Sequence, residues 1–214
     1  MPFANILLSI GGTQEYDYHN LFGYQILNAT YHALLGVFPT KRPFIIGRST
    51  FAGSGRWAGH WGGDNASLWA FMFFSIPQAL SFSLFGIPMF GVDTCGFNGN
   101  TDEELCNRWM QLSAFFPFYR NHNTIGALSQ EPYRWASVIE ASKVAMNIRY
   151  SLLPYIYTSF FLSHSTGSTM MRALSWEVCL IQASPRCLSI LTFCSSRMNP
   201  VFLLLTPSSC LAEA

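Results

Sequence analysis

The sequence predicts an α/β fold, a partial (β/α)8 TIM barrel that comprises about the second half of such a barrel and is followed by an irregular tail. Short apolar segments alternate with longer segments that suit helices, as in chains of βα units. Polar side chains of the kind that carry chemistry follow the apolar segments, at Arg48, Asp64 and Asp93. A parallel barrel keeps its active site at this end of its strands, so both observations favour the same architecture.

The first half of the chain is expected to supply one or two strands and two helices. The sequence near Tyr16 permits a strand, and residues 21–36 suit a helix. Residues 44–47 suit a short buried strand. After the following loop, Ser67 is expected to cap a helix that runs to Ile76.

The second half begins with an apolar strand over residues 86–93, which ends in a carboxylate. Thr101 then resembles the N-cap of a capping box, with Glu104 as its partner at the third helical position. This helix is expected to run to about Phe115.

Residues 131–161 suit one long helix, or two helices broken near Pro154. A last strand is predicted over 168–174. These strands are fewer than the eight of a closed barrel. We therefore expect one partial catalytic barrel over residues 1–177 and an aberrant or disordered tail over residues 178–214.

Composition argues against several classes of protein. The net charge is +1, only 11% of residues are charged, and no basic stripe is present, so no nucleic-acid partner is expected. No P-loop or dinucleotide-binding glycine pattern occurs, so no cofactor is expected. The four cysteines of the tail lack the C-x-x-C spacing of zinc sites, and no metal site is expected.

Residues 68–92 contain no charged side chain and are long enough to span a bilayer, which leaves a membrane helix as an alternative. Pro77, Gln78 and Pro88 interrupt this run. A buried helix followed by a buried parallel strand is therefore favoured, and no membrane contact is expected. The first residues carry no Lys or Arg, so no signal peptide is visible.

The segment over residues 48–65 contains the most specific chemical pattern. Gly62 and Gly63 permit a sharp turn in front of a single carboxylate, Asp64. Trp57 and Trp61 offer flat apolar faces for a sugar ring, and a nearby indole favours the protonated form of a carboxyl group. A glycosidase needs such a group as its general acid. The alternative is a glycine-rich and aromatic surface loop with one solvated aspartate.

This segment resembles the retaining α-glucosidases of glycoside hydrolase family 31. Four further segments match the family in the same order, and the resemblance covers residues 12–177. The five segments are YDYHNLFG at 16–23, TKRPFIIGRS at 40–49, RSTFAGSGRWAGHWGGDN at 48–65, FGIPMFGVDTCGFNGNTDEELCNRWMQLSAFFPFYRNHN at 85–123 and GSTMMRALSWE at 167–177.

The resemblance implies a role for each of six residues. Asp64, in the HWxGD pattern, would be the general acid/base, while Arg48 and His122 would hydrogen-bond the sugar in the −1 subsite. The remaining three would line the pocket: Asp93 as its floor, Trp61 and Phe97 as its walls.

Structural alternatives stay open for several of these residues. Asp93 would otherwise cap the loop after its strand, and an isolated aromatic residue is more often part of the core. Arg120 would either position the loop or pair with a carboxylate, and His60 would support the site from behind.

The resemblance also implies a disulfide between Cys95 and Cys106, which fits the secretory-pathway or lysosome-like location of the family. The alternative is two buried free thiols. Asn65 begins a glycosylation sequon, which we expect to be unused because a glycan there would block the pocket.

One part of the expected site has no match. A retaining glycosidase needs a second carboxylate as nucleophile, about 5 Å from the acid. The family carries it in a Trp-x-Asp-Met-Asn-Glu motif, and the only acidic residues before Arg48 are Glu15 and Asp17, in unrelated sequence. We therefore expect a truncated α-glucosidase for α-glucosides or malto-oligosaccharides that is inactive alone. The alternative is a non-catalytic carbohydrate-binding remnant.

Overall fold

The structure is a computed structural model that describes residues 15–173. The predicted boundary at residue 177 and the tail lie outside these residues. The helices and strands of the described part are, in chain order, α1 (Glu15–Tyr18), α2 (Phe22–Val37), β1 (Ile46–Gly47), β2 (Gly59–Trp61), α3 (Trp69–Leu84), β3 (Phe90–Gly91), β4 (Asp93–Thr94), α4 (Glu103–Ser113), β5 (Arg120–Asn121), α5 (Ala136–Ser151) and α6 (Leu153–Thr166).

All strand pairs in the described part are parallel. β2 lies between β1 and β3, and β4 pairs with β5. Only Val92 separates β3 from β4, so both sheets run in the same direction. The carboxyl ends of the strands therefore share one edge, as in the predicted parallel barrel.

The strands are shorter than predicted and differ in number. The strand predicted over 86–93 is β3 and β4, which belong to different sheets. β2 and β5 are not predicted by the sequence pattern at all. Tyr16 lies in helix α1, so the strand considered there is wrong. The described part of the strand predicted at 168–174 contains no strand.

Helix α2 confirms the prediction for residues 21–36. Helix α3 differs from the prediction at both ends. Ser67 does not cap it, and the helix continues past Pro77 to Leu84. Tertiary packing explains this continuity, because a stripe of small residues one turn apart is buried along the helix: Ser75, Ala79 and Ser83.

Helix α4 is capped by Asp102, whose carboxylate accepts a hydrogen bond from Leu105 N at 2.9 Å. The capping box predicted from Thr101 and Glu104 is therefore wrong by one residue, and the helix ends at Ser113, before Phe115. The favourable position of a carboxylate at a helix N-terminus accounts for the choice of Asp102.

The segment over 131–161 forms two helices, α5 and α6, which confirms one of the two alternatives. The break is at Leu152, and Pro154 lies in the first turn of α6. Proline fits the first turn of a helix because no intrahelical partner exists there for its missing N–H.

The core lies where α3 and α4 cover the strands. Its largest fully buried side chains are Trp109 and Leu105 of α4, Phe90 of β3, and Phe116 after α4. Full burial of an aliphatic or phenyl side chain contributes roughly 1.5–3 kcal/mol, so this cluster fixes α4 against the strands that carry the site.

Arg149 of α5 secures the chain between α4 and β5. Its guanidinium donates hydrogen bonds to the backbone oxygens of Ala114, Phe116 and Pro117. None of the helices in residues 15–173 is long and apolar enough to cross a membrane.

Candidate active site

Arg48 and Asp64 are brought together by the turn after β2. Gly63 has a φ of 75°, which favours glycine. A Cβ built on Gly63 would lie 3.0 Å from Nε of Arg48, so the Arg48 side chain packs on the peptide next to Asp64. Both side chains are exposed at the carboxyl end of the strands.

The sequence pattern suggested that an indole ring shields the carboxyl group of Asp64. The structure shows no such shielding. Asp64 is exposed because the two-glycine turn carries it past the end of β2. The half-buried Trp61 ring faces Arg120 instead, at 5.4 Å. Trp57 packs on Tyr31, with ring centroids 5.3 Å apart.

Asp93 and Arg120 form an ion pair beneath these residues, in which Asp93 is buried and Arg120 is half-buried. They are partners in the register of β4 and β5, and Arg120 Nη2 donates to Asp93 Oδ1. Asp93 has no exposed surface, and its Oδ2 has no hydrogen-bond partner among the described residues. Of the two alternatives for Arg120, the structure therefore shows the pairing with a carboxylate, that of Asp93.

The charge of Asp93 depends on its neighbours. Burial raises the pKa of its carboxyl group, the contact with Arg120 opposes this, and His122 acts in the same direction as Arg120. The carboxylate of Asp64 adds a smaller upward effect on this pKa. The strand register and the Asn65 side chain place these groups together: Asp93 lies opposite Arg120, two residues before His122, and Asn65, next to Asp64, bonds to the backbone oxygen of Asp93.

Phe97 and His122 form the other side of the site. Their ring centroids are 5.1 Å apart, and His122 is exposed whereas Phe97 is half-buried. Phe97 follows β4 and His122 follows β5, so the parallel pairing of these strands brings the two rings together. Phe97, predicted as an aromatic wall, and His122, predicted as a polar contact, are therefore adjacent.

Asn65 joins the two sides and was not singled out as a site residue by the sequence. Its Nδ2 donates to the backbone oxygen of Asp93 at 3.0 Å, and its Oδ1 accepts from Phe97 N at 2.9 Å. The side chain is buried, so its amide is inaccessible for glycosylation in the folded chain. That the sequon at Asn65 is not glycosylated stays a prediction, which the burial of this side chain supports.

The disulfide between Cys95 and Cys106 is present, with Cα atoms 4.7 Å apart. It connects the loop after β4 to the first turns of α4. Cys95 has a φ of 74°, the one positive φ of a non-glycine residue in the described part of the chain. The predicted pairing is confirmed, and the free-thiol alternative does not apply.

His60 lies in β2, and its side chain packs against helix α3. Its ring stacks on Phe82 with centroids 4.0 Å apart, and its Nδ1 lies 3.1 Å from Thr50 Oγ1. Burial lowers the pKa of His60 from 6.5 to about 4, so the ring is neutral at physiological pH. Its support of the site stays a prediction.

The predicted site is an open edge of the sheet. A cavity of about 950 Å³ reaches Arg48 and Trp61 from the side of α2. A cavity of about 640 Å³ lies near Ile45 and Met89, at the amino ends of the strands, and contains none of the predicted site residues. Within residues 15–173, no group of three or more His, Cys, Asp or Glu side chains could hold a metal ion.

Comparison with known proteins identifies relatives of this chain in sequence and in structure. Residues 5–159 match the family model of the glycosyl hydrolases family 31 TIM-barrel domain. The chain is 77% identical over 166 residues to an α-glucosidase of Aspergillus oryzae and 75% identical over 169 residues to one of Aspergillus niger. Each match covers 78% of this chain and 17% of the relative's length. A solved structure of a glucosidase II alpha subunit superposes with a TM-score of 0.75 at 40% identity, over 79% of this chain and 19% of that one.

Proposed function

The chain belongs to glycoside hydrolase family 31, and from this premise we propose that it supplies the acid/base side of an α-glucosidase active site. One observation carries the proposal. Arg48, Asp64 and His122 follow β1, β2 and β5, and Asp93 begins β4 just after β3. All four lie around the carboxyl-end edge of the parallel strands. This is the edge at which a barrel of this type carries out its chemistry.

Asp64 is the general acid/base in this proposal. Its exposed position leaves room for a glycosidic oxygen, to which it donates a proton as the bond breaks. In the second step it removes a proton from the water that attacks the glycosyl-enzyme intermediate. The Arg48 side chain packs against the Gly63 turn that precedes this carboxylate.

The neighbouring groups suit a terminal α-linked glucose. The planar fork of Arg48 presents paired donors to vicinal hydroxyls, and the exposed His122 ring offers a further hydrogen bond. The half-buried rings of Trp61 and Phe97 supply apolar surface of the kind on which sugar rings stack. α-Glucosides and malto-oligosaccharides are the proposed substrates, in a secretory or lysosome-like compartment.

The nucleophile is proposed to lie outside this sequence. Asp93 is a poor replacement because its carboxylate is buried and paired with Arg120. The 214-residue chain has no Trp-x-Asp-Met-Asn-Glu motif. The chain therefore completes a site rather than forming a whole one.

A graft tests the proposal. The matched segment of this chain replaces its counterpart in the Aspergillus oryzae α-glucosidase, and hydrolysis of maltose is measured. We expect kcat/KM within about tenfold of the parent enzyme, a difference of about 1.4 kcal/mol. A folded graft that binds maltose without hydrolysing it would instead support the non-catalytic carbohydrate-binding alternative.

A further inference from the structure

Gln130 occupies the point where the two loops of the candidate site meet. It is 2% exposed and lies in the segment between β5 and α5. Its Nε2 lies 2.9 Å from the backbone oxygen of Gly96, 3.1 Å from Oδ1 of Asn121 and 3.4 Å from the backbone oxygen of His122. A fourth oxygen, that of Thr94, lies at 3.2 Å.

These acceptors belong to two separate segments. Thr94 ends β4 and Gly96 precedes Phe97 in the following loop, whereas Asn121 ends β5 and His122 begins the next loop. One carboxamide group thus contacts both of the segments that carry the rings of Phe97 and His122. The interaction is reciprocal, because Asn121 Nδ2 donates to the backbone oxygen of Gln130 at 2.8 Å.

Only a donor group fits this position. All four neighbours of Nε2 are oxygen atoms, so a flipped amide would place its own oxygen against them. A side chain without N–H groups would leave buried carbonyl oxygens unpaired, at a cost typical of buried polar groups. The two-hydrogen amide of glutamine therefore links the two loops, in addition to the β4–β5 pairing and the backbone hydrogen bond from Thr124 N to Phe97 O at 3.0 Å.

We infer that Gln130 is the positioning residue that sets the separation of Phe97 and His122 in the site, an inference that rests on the proposed function. It touches neither the sugar nor the reacting atoms. It fixes the backbone of His122 relative to that of Gly96. It therefore also sets the position of the Phe97 ring, the apolar wall, relative to the His122 ring, the polar contact. Without it, both rings stay in the chain but lose their mutual geometry.

The test uses nuclear magnetic resonance of the full 214-residue chain. The Cε1 proton of His122, assigned by its loss in His122→Asn, lies in the ring current of Phe97, and Phe97→Leu defines its position without that ring. We expect Gln130→Met to shift the resonance most of the way to the Phe97→Leu position. The matched control is Gln111→Met, because the amide of Gln111 bonds within its own helix.

The resonance of His60 provides an internal control, since its ring stacks on Phe82 of α3 and not on the two loops. It should stay unchanged in Gln130→Met, whereas a general loss of structure would move it too. An unmoved His122 resonance in Gln130→Met overturns the inference.

A second measurement needs no substitution at Gln130. In the unaltered chain its side-chain amide protons should exchange with water more slowly than those of Gln111, and equal exchange rates would also overturn the inference. The graft separates the two proposals. Loss of maltose hydrolysis by a folded graft contradicts the proposed function, while the resonance of His122 in the chain still reports on Gln130.

Discussion

The contact between Arg48 and the Gly63 turn predicts that Gly63→Ala damages function more than stability. The left-handed backbone of Gly63, with φ of 75°, costs a residue with a Cβ about 1–2 kcal/mol. The reduced freedom of the unfolded chain returns about 0.4–1 kcal/mol. The net loss of stability is therefore about 1 kcal/mol.

The added methyl group also meets Arg48. A Cβ at 3.0 Å from Nε pushes the guanidinium by a few tenths of an ångström, which a flexible side chain absorbs at little cost in stability. The sugar contact is more sensitive, since a displacement of about 1 Å can cost about 100-fold in rate. We expect about a tenfold loss of kcat/KM in the graft.

Gly126→Ala is the matched control. Gly126 has a φ of 86°, and a Cβ there would meet nothing within 4 Å. Urea unfolding of the chain should give similar losses of stability for Gly63→Ala and Gly126→Ala, while only Gly63→Ala lowers kcat/KM in the graft. Equal kcat/KM for the two variants would show that the turn does not position Arg48 for the sugar.

Three further predictions concern the 214-residue chain. His60 is neutral in the folded chain down to a pKa of about 4, whereas the unfolded residue takes up a proton near 6.5. Its contribution to stability is therefore present above pH 6.5 and is lost as the pH falls towards 4, by up to about 3 kcal/mol. His60→Phe should flatten the dependence of urea midpoint on pH over this window, and an unchanged slope would show that another group causes it. Replacing Cys95 and Cys106 together by serine should lower the free energy of unfolding by about 3 kcal/mol through the freed loop, and a loss within experimental error would contradict the loop-entropy argument. The chain alone should release no nitrophenol from a nitrophenyl α-glucoside, because it lacks the nucleophile motif; turnover that Asp64→Asn abolishes would show that another acid replaces it.

The overall architecture was accessible from the sequence because βα alternation and polar residues after strands are local features. The positions of the individual strands were harder to predict from the sequence. β2 consists of Gly59, His60 and Trp61, which is too short for a period of two to be recognised. Helix α3 passes Pro77 because its buried stripe of small residues packs on the core, and this contact has no local signal.

Sequence motifs name the candidate chemical residues of the site, whereas they give no indication of the residues that hold them in place. Asp64, Asp93 and His122 stand in motifs that resemble a known family. Asn65 acts through partners 28 and 32 positions away in sequence, and Gln130 joins partners 8 and 9 positions away to others 34 and 36 positions away. A polar amide in a loop gives no indication of such partners, since its role depends on which strands become neighbours.

The central claim is that Asp64 is the general acid/base, and Asp64→Asn in the graft tests it most directly. Hydrolysis of maltose should fall by about 10²–10⁴-fold, because its leaving group needs a proton. Glucosyl fluoride needs little protonation, so the variant should release a burst of one equivalent of fluoride and then turn over slowly, since water still needs the base. Equal losses for maltose and glucosyl fluoride, without a burst, would contradict the assignment of Asp64 as the acid/base.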